Sequence, residues 1–299
     1  MISLLKHKTI YMNTNKFTIK DFKKLYPNND ACLEAIFVEG FGHNIKCPQC
    51  KNKSYFYRVK NRKCYSCNHC GYQIHPLADT IFHKSSTSLW NWFFAMFLFS
   101  ASKNGVSAKE LERQLGVTYK TAWRMAKQIR LLFDQSKKPL SNTVEIDETY
   151  IGGKFRGKRG RGSENKTSII GLAERKGEIR AKVTINVKSS TVHGVLRENV
   201  IMGINIISDE FKSYSNLTKL GFKHYVISHG QKEWAKDDIH TNTLEGFWSQ
   251  FKRSVNGTYH SVSPKYLQNY LNEFVFRYNL REYPNPLFGK FLGLAVRQF

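Results

Sequence analysis

Residues 143–151 read Thr-Val-Glu-Ile-Asp-Glu-Thr-Tyr-Ile, and residues 204–209 read Ile-Asn-Ile-Ile-Ser-Asp. Each is a short β-rich run whose apolar part closes on an aspartate: Asp147 after Val144 and Ile146, Asp209 after Ile204, Ile206 and Ile207. A third acid, Glu245, stands near the start of an amphipathic stretch at 241–254. Two carboxylates at strand ends and one on a later helix can converge on a pair of divalent cations.

Working outward from these runs, strands alternate with helices. Residues 167–173 and 179–187 form a hairpin around Arg175-Lys176-Gly177. A helix at 190–200 follows, then strand 205–208, helix 213–220, strand 224–228, and helices at 242–255 and 264–281. In the last, Leu267, Tyr270, Leu271, Phe274, Val275 and Tyr278 make a core stripe. The order β-β-β-α-β-α-β-α-α predicts an α/β domain over 143–299. Ahead of it, Ser-Lys-Lys-Pro-Leu-Ser-Asn at 136–142 is a polar, proline-containing linker. Residues 1–45 read as a helical lead-in, 46–84 as a cysteine-rich module, and 85–135 as a helical region.

The 47 basic and 23 acidic residues give a net charge of +24, which points to a polyanion partner. Hydrophobic content of 41% supports a packed core and excludes wholesale disorder. The most apolar stretch, 89–99 (LWNWFFAMFLF), falls well short of the ~20 residues a membrane span needs. It predicts a buried helix, and no membrane partner is expected. No secretory signal is visible, so a cytoplasmic location is expected.

Five of the six cysteines lie between Cys47 and Cys70. Cys47-Pro-Gln-Cys50 and Cys67-Asn-His-Cys70 are two knuckles at zinc-ribbon spacing, and four thiolates would enclose a structural Zn²⁺. Cys64 offers a competing partner for Cys67. Gly71 directly after Cys70 favours the pair Cys67 and Cys70, because a knuckle wants a tight turn. His69, His75 and His83 are further possible ligands. Between the knuckles, basic residues alternate with Tyr55, Phe56 and Tyr57, a mixture suited to phosphate contact and base stacking, or to a solvated hairpin.

Within 85–135, Ser107 can cap one short helix and Thr118 the next, with Gly116-Val117 between them: the pattern of a helix-turn-helix. Ala122, Met125, Ala126 and Ile129 face inward at helical spacing. Lys120, Thr121, Arg124, Lys127 and Gln128 are left outward for DNA. The bland alternative is a three-helix core with solvated basic residues. The loop at 152–162 (GGKFRGKRGRG) lacks the ending of a nucleotide P-loop. Its Lys154, Arg156, Lys158, Arg159 and Arg161 suit a DNA backbone beside Asp147.

The motif His240-Thr-Asn-Thr-Leu-Glu-Gly-Phe-Trp-Ser-Gln-Phe-Lys-Arg253, followed by Gly257-Thr-Tyr-His260 and Ser263-Pro-Lys265, resembles the bacterial insertion-sequence transposases related to the Merlin elements, the ISXO-like DDE family. Asp147-Glu-Thr-Tyr-Ile-Gly-Gly-Lys154 is similar to their first catalytic strand, and Ser208-Asp209 with Tyr214 to their second. The Cys32 region, the ribbon and Thr80-Ile-Phe82 match as well, so the resemblance spans residues 17–281. It implies a ribonuclease H-like catalytic domain behind a zinc ribbon and a helix-turn-helix. It also implies Mg²⁺ or Mn²⁺ held by Asp147, Asp209 and a third residue. Glu245 fits the usual DDE pattern, whereas some relatives use asparagine, and Asn242 shares the helix face of Glu245, Ser249 and Lys252. Lys252 and Arg253 would hold phosphates. The implied partners are double-stranded DNA, both terminal inverted repeats and target, with a homodimer or larger assembly on nucleoid DNA. A non-catalytic zinc-ribbon DNA binder and a nuclease acting on hybrids or junctions are the alternatives.

Overall fold

The computed structural model describes residues 17–43, 45–135, 138–152, 166–227, 241–283 and 286–296. The chain divides into two compact units, one of residues 1–132 with 283–299, the other of residues 133–282.

The first unit begins with α1 (Ile19–Leu25), opened by a capping box between Thr18 and Asp21. Asn28 caps α2 (Asn29–Phe41) by accepting from the Ala31 amide at 2.9 Å. The cysteine module is two small antiparallel sheets. One pairs β1 (Ile45–Lys46) with β2 (Lys53–Ser54); the other contains β3 (Phe56–Arg58), β4 (Tyr65–Cys67) and β5 (Gln73–Ile74). Tyr65 anchors it to α2, stacking on Phe37 at 3.9 Å and donating from its hydroxyl to Glu34 at 2.6 Å. The apolar stretch at 89–99 is α3 (Leu89–Ala101), a buried helix as its length predicts. After it come α4 (Ala108–Leu115) and α5 (Tyr119–Leu131).

In the second unit one five-stranded sheet carries β6 (Val144–Ile151), β7 (Thr167–Glu174), β8 (Ile179–Thr184), β9 (Asn205–Asp209) and β10 (Lys223–Ile227), in the order β10-β9-β6-β7-β8. The first three strands are an antiparallel meander; β9 runs parallel to β6, and β10 parallel to β9. Helix α6 (Ser189–Asn199) covers one face, burying Val192, Val195 and Leu196 on Val144, Ile146, Ile170, Leu172 and Ile206. Helices α7 (Asn242–Ser254) and α8 (Pro264–Asn279) cover the other with Leu244, Phe247, Trp248, Phe251, Leu271 and Phe274. Both strand faces are therefore apolar, as a sheet between two helical layers requires.

Three features differ from the sequence expectation. The helix expected at 213–220 is two single 3₁₀ turns, Lys212–Tyr214 and Thr218–Leu220. Tyr214 and Leu217 are both buried, and their three-residue spacing suits a 3₁₀ turn, while the flanking Ser and Asn residues are weak helix formers. Asp147 stands in the middle of β6, because antiparallel pairing with β7 continues through Ile151. Residues 283–299, expected with the α/β domain, belong to the first unit. They carry α9 (Leu287–Ala295), whose Phe288 meets the rings of Phe17, Phe22, Tyr26 and Phe93.

The outer edge of β8 is closed by side-chain amides. Asn279 donates to Ile179 O at 2.9 Å and accepts from Ile179 N at 2.8 Å. Gln135 makes the same pair of bonds to Ala181, and Gln268 accepts from Val183 N while donating to Ala181 O. An open strand edge is a template for association; here carboxamides take the place of a neighbouring strand.

Candidate active site and zinc centre

The register of β6 on β9 decides how the aspartates meet. Val144 lies opposite Ile206 and Glu145 opposite Ile207. Carried two residues further along parallel strands, the same register directs Asp147 and Asp209 to one face of the sheet, and the charge of Asp209 acts on the Asp147 carboxyl. Pairing has stopped by that point, so the backbones are no longer bonded between the two carboxylates. Burial pushes the Asp147 carboxyl up from its ordinary 3.8 to about 7, reinforced by the charges of Glu148 and Asp209 and opposed by bonds from the Glu148 amide and the Trp248 indole. Asp209 Oδ1 accepts from the Phe211 amide at 3.0 Å, which turns the chain out of β9.

The aspartate face is the one α7 covers. Buried Glu145, two residues before Asp147 and so on the same face, accepts from both the amide and the hydroxyl of Thr243, at 3.1 and 2.8 Å. Thr241, the N-cap of α7, makes no side-chain capping bond, and Glu145 satisfies the helix N-terminus from the strand instead. Arg175 approaches Glu145 at 3.4 Å. The indole N–H of Trp248 donates to Asp147 Oδ2 at 3.0 Å. On the exposed side of the same helix stand Asn242, Glu245, Ser249 and Lys252, as their spacing predicts. Glu245 accepts from the Thr241 hydroxyl at 3.2 Å. Glu148 points to the opposite face, where the Tyr214 hydroxyl donates to it at 2.6 Å.

The oxygen donors of Asp147 and Asp209, with Glu145 or Glu245 near the same strand-helix pair, are the hard ligands Mg²⁺ or Mn²⁺ takes. Crowded anionic charge around a carboxyl already displaced to about 7 is a fit for a cation. The three carboxylates are not gathered as closely as the cysteines: among the described residues the metal-ligand cluster within 4.8 Å is Cys47, Cys50, Cys67 and Cys70. The Sγ–Sγ distances there are 3.6 Å for Cys47–Cys70 and 3.9 Å for Cys50–Cys67. A tetrahedron with Zn–S near 2.3 Å has edges of about 3.8 Å, so this donor set fits Zn²⁺. Cys64 lies outside it, with its thiol directed at Gln73 Oε1 at 3.6 Å.

The family model for a transposase zinc-ribbon domain matches residues 27–73, and that for an ISXO2-like transposase domain matches residues 139–279. The chain carries an ISXO2-like transposase domain behind a transposase zinc ribbon. Among relatives, an uncharacterised protein in the transposable element ISH50 of Halobacterium salinarum is 27% identical over 256 residues, covering 79% of this chain and 85% of its own. A transposase-like protein of Haemophilus influenzae is 29% identical over 100 residues, 33% of this chain and 80% of its own. A pre-cleavage Mos1 transpososome aligns with 69% of this chain and 79% of its own at 13% identity and a TM-score of 0.27, too distant to carry weight.

Lys252 and Arg253 are exposed in the last turn of α7. Lys154, Arg156, Lys158, Arg159 and Arg161 lie outside the described residues. In the first unit, Gly116 ends α4 in the left-handed region at φ 63°, and Thr118 caps α5. Lys120 is exposed near the start of α5. Arg124 is directed inward: it donates to Ser85 and Thr87 at 3.3 and 3.1 Å and lies over Trp92. Lys127 lies over the Trp123 ring.

Sequence reading missed Glu145, Glu148 and the polar role of Trp248. An acid in an apolar run two residues from Asp147 was the available signal for Glu145. The Trp248 ring packs in the core, and its N–H has a second task at Asp147.

Proposed function

We propose that this protein is a DDE transposase. It binds the ends of its element through the ribbon and a helix-turn-helix made by α4 and α5. It then cuts and joins DNA at Asp147, Asp209 and a third residue on α7. The observation that carries this reading is that Asp147 and Asp209 stand on the neighbouring strands β6 and β9, with Asp147 under α7 and its carboxyl raised in part by the charge of Asp209. The sheet supports a ribonuclease H-like assignment: an antiparallel meander followed by two parallel strands, order β10-β9-β6-β7-β8, with helices on both faces.

In this reading Asp147 and Asp209 hold Mg²⁺ or Mn²⁺, with Glu245 or Asn242 completing the set. The bound ions supply activation of the attacking oxygen and stabilisation of the leaving one. The protein's residues do the rest. Glu145 and Trp248 fix α7 on β6, and Lys252 and Arg253 on the exposed helix end take DNA phosphates. Water attacks the phosphodiester at the element end, freeing a 3′-hydroxyl. That hydroxyl then attacks a target phosphodiester, releasing a new 3′-hydroxyl there, with no covalent protein–DNA intermediate.

The test is Mn²⁺-dependent cleavage and joining of duplexes carrying the element ends, for wild type, Asp147→Ala and Asp209→Ala. The expected result is activity in wild type and loss in both variants with end binding retained. Cleavage persisting in both variants overturns the site. End binding by wild type without any cleavage makes the protein a non-catalytic DNA binder. Separate Glu245→Gln and Asn242→Ala variants assign the third position, and the larger loss is expected from Glu245→Gln.

A further inference from the structure

Strand β7 has no side chain where it faces Asp147. Gly171 is the register partner of Asp147, and a Cβ there would meet Trp248 Cζ2 at 2.4 Å and Leu244 Cδ2 at 2.9 Å. The indole lies flush over this glycine, 4% exposed, with its N–H aimed at Asp147 Oδ2. A buried indole N–H is donor-only and is costly to leave without an acceptor. Ring placement, glycine and carboxylate orientation therefore come as one arrangement. Three residues before Trp248 on the same helix is Glu245, and five before it is Thr243, bound to Glu145.

We propose that Trp248 is a positioning residue of this site: its indole N–H fixes the plane of the Asp147 carboxylate, and its ring, seated on Gly171, sets the register of α7 on β6. The inference rests on the reading of Asp147 as a cation ligand. Partners that orient a metal ligand change metal affinity by about 10–100-fold when removed. Trp248→Phe keeps an aromatic ring on Gly171 and removes the donor. Gly171→Ala keeps the donor and displaces the ring. Both act on the same coupling from opposite sides.

The experiment uses the full-length, zinc-loaded protein labelled with 5-fluorotryptophan. The ¹⁹F resonance absent from Trp248→Phe is that of Trp248. Mn²⁺ is expected to broaden it first among the five tryptophans, and Asp147→Asn to abolish that selectivity. At saturating DNA, Trp248→Phe and Gly171→Ala are each expected to raise the Mn²⁺ concentration for half-maximal end cleavage at least tenfold, with end-binding affinity within twofold of wild type. An unchanged Mn²⁺ requirement in a folded Trp248→Phe overturns the proposal. So does a Trp248 resonance that Mn²⁺ leaves sharp. Should Trp248→Phe fail to fold, Gly171→Ala decides by the same two readouts. Selective broadening that depends on Asp147, in a protein that never cleaves DNA, keeps the positioning role and removes the transposase reading. Cleavage with a silent Trp248 resonance does the reverse.

Discussion

Replacing Asp147 by Asn should make the protein more stable at alkaline pH and leave it little changed at acid pH. In the fold the carboxyl is displaced from 3.8 to about 7, first by burial and then by the charges of Glu148 and Asp209. The folded state therefore holds a proton that the unfolded chain releases, and stability falls as pH rises between those two values. At 1.36 kcal/mol per pH unit, the fall from pH 5 to pH 8 is about 3 kcal/mol unscreened, and about half that for a carboxyl that solvent partly reaches. Asn keeps an acceptor for the Trp248 indole and carries no charge, so it lacks this fall. Urea unfolding of wild type and Asp147→Asn at pH 5 and pH 8, without added Mg²⁺ or Mn²⁺, should show a gap that is wider at pH 8 than at pH 5 by about 1–3 kcal/mol. Added Mg²⁺ should narrow it by stabilising wild type alone. A difference equal at both pH values would refute the electrostatic account of this site.

Other consequences are as direct. Cys50→Ser should lose bound zinc and loosen the ribbon, whereas Cys64→Ser should keep one zinc per chain by elemental analysis, since Cys64 bonds Gln73 and not the cluster. The triple variant Gln135→Ala, Gln268→Ala, Asn279→Ala should uncover the β8 edge and associate with rising concentration by light scattering; a variant that stays monodisperse contradicts edge closure. Lys120→Ala should weaken DNA binding at low salt with no change in thermal midpoint. Arg124→Ala should lower the midpoint of the first unit, costing about 1–2 kcal/mol for its bonds to Ser85 and Thr87, before any effect on DNA is counted.

Much of this was legible in the residues because the decisive signals are local. Val144, Ile146, Ile206 and Ile207 are β-branched runs that form β6 and β9 within a residue of their expected limits. Two-residue gaps between Cys47 and Cys50, and between Cys67 and Cys70, bring four thiols together. What escaped depends on contacts distant in sequence. Glu145 reads as an ordinary strand acid until Thr243, 98 residues later, is found on it. The inward turn of Arg124 depends on Ser85 and Trp92, and helical spacing alone places it outward. Helix α9 is apolar enough to need a partner, yet nothing in its own sequence says that the partner is the aromatic cluster of α1 and α3. The 3₁₀ turns at 212–220 follow from the burial of Tyr214 and Leu217, a tertiary fact.

Asp147 and Asp209, on the neighbouring strands β6 and β9, are proposed to cut DNA together. That joint role is tested most directly on an end-labelled duplex carrying the element's terminal repeat, incubated with Mn²⁺ and wild type, Asp147→Ala or Asp209→Ala, with binding measured on the same DNA. Wild type alone should give a nicked product ending in a 3′-hydroxyl, with all three proteins bound to the repeat. Cleavage by either aspartate variant at the wild-type rate would contradict the joint role.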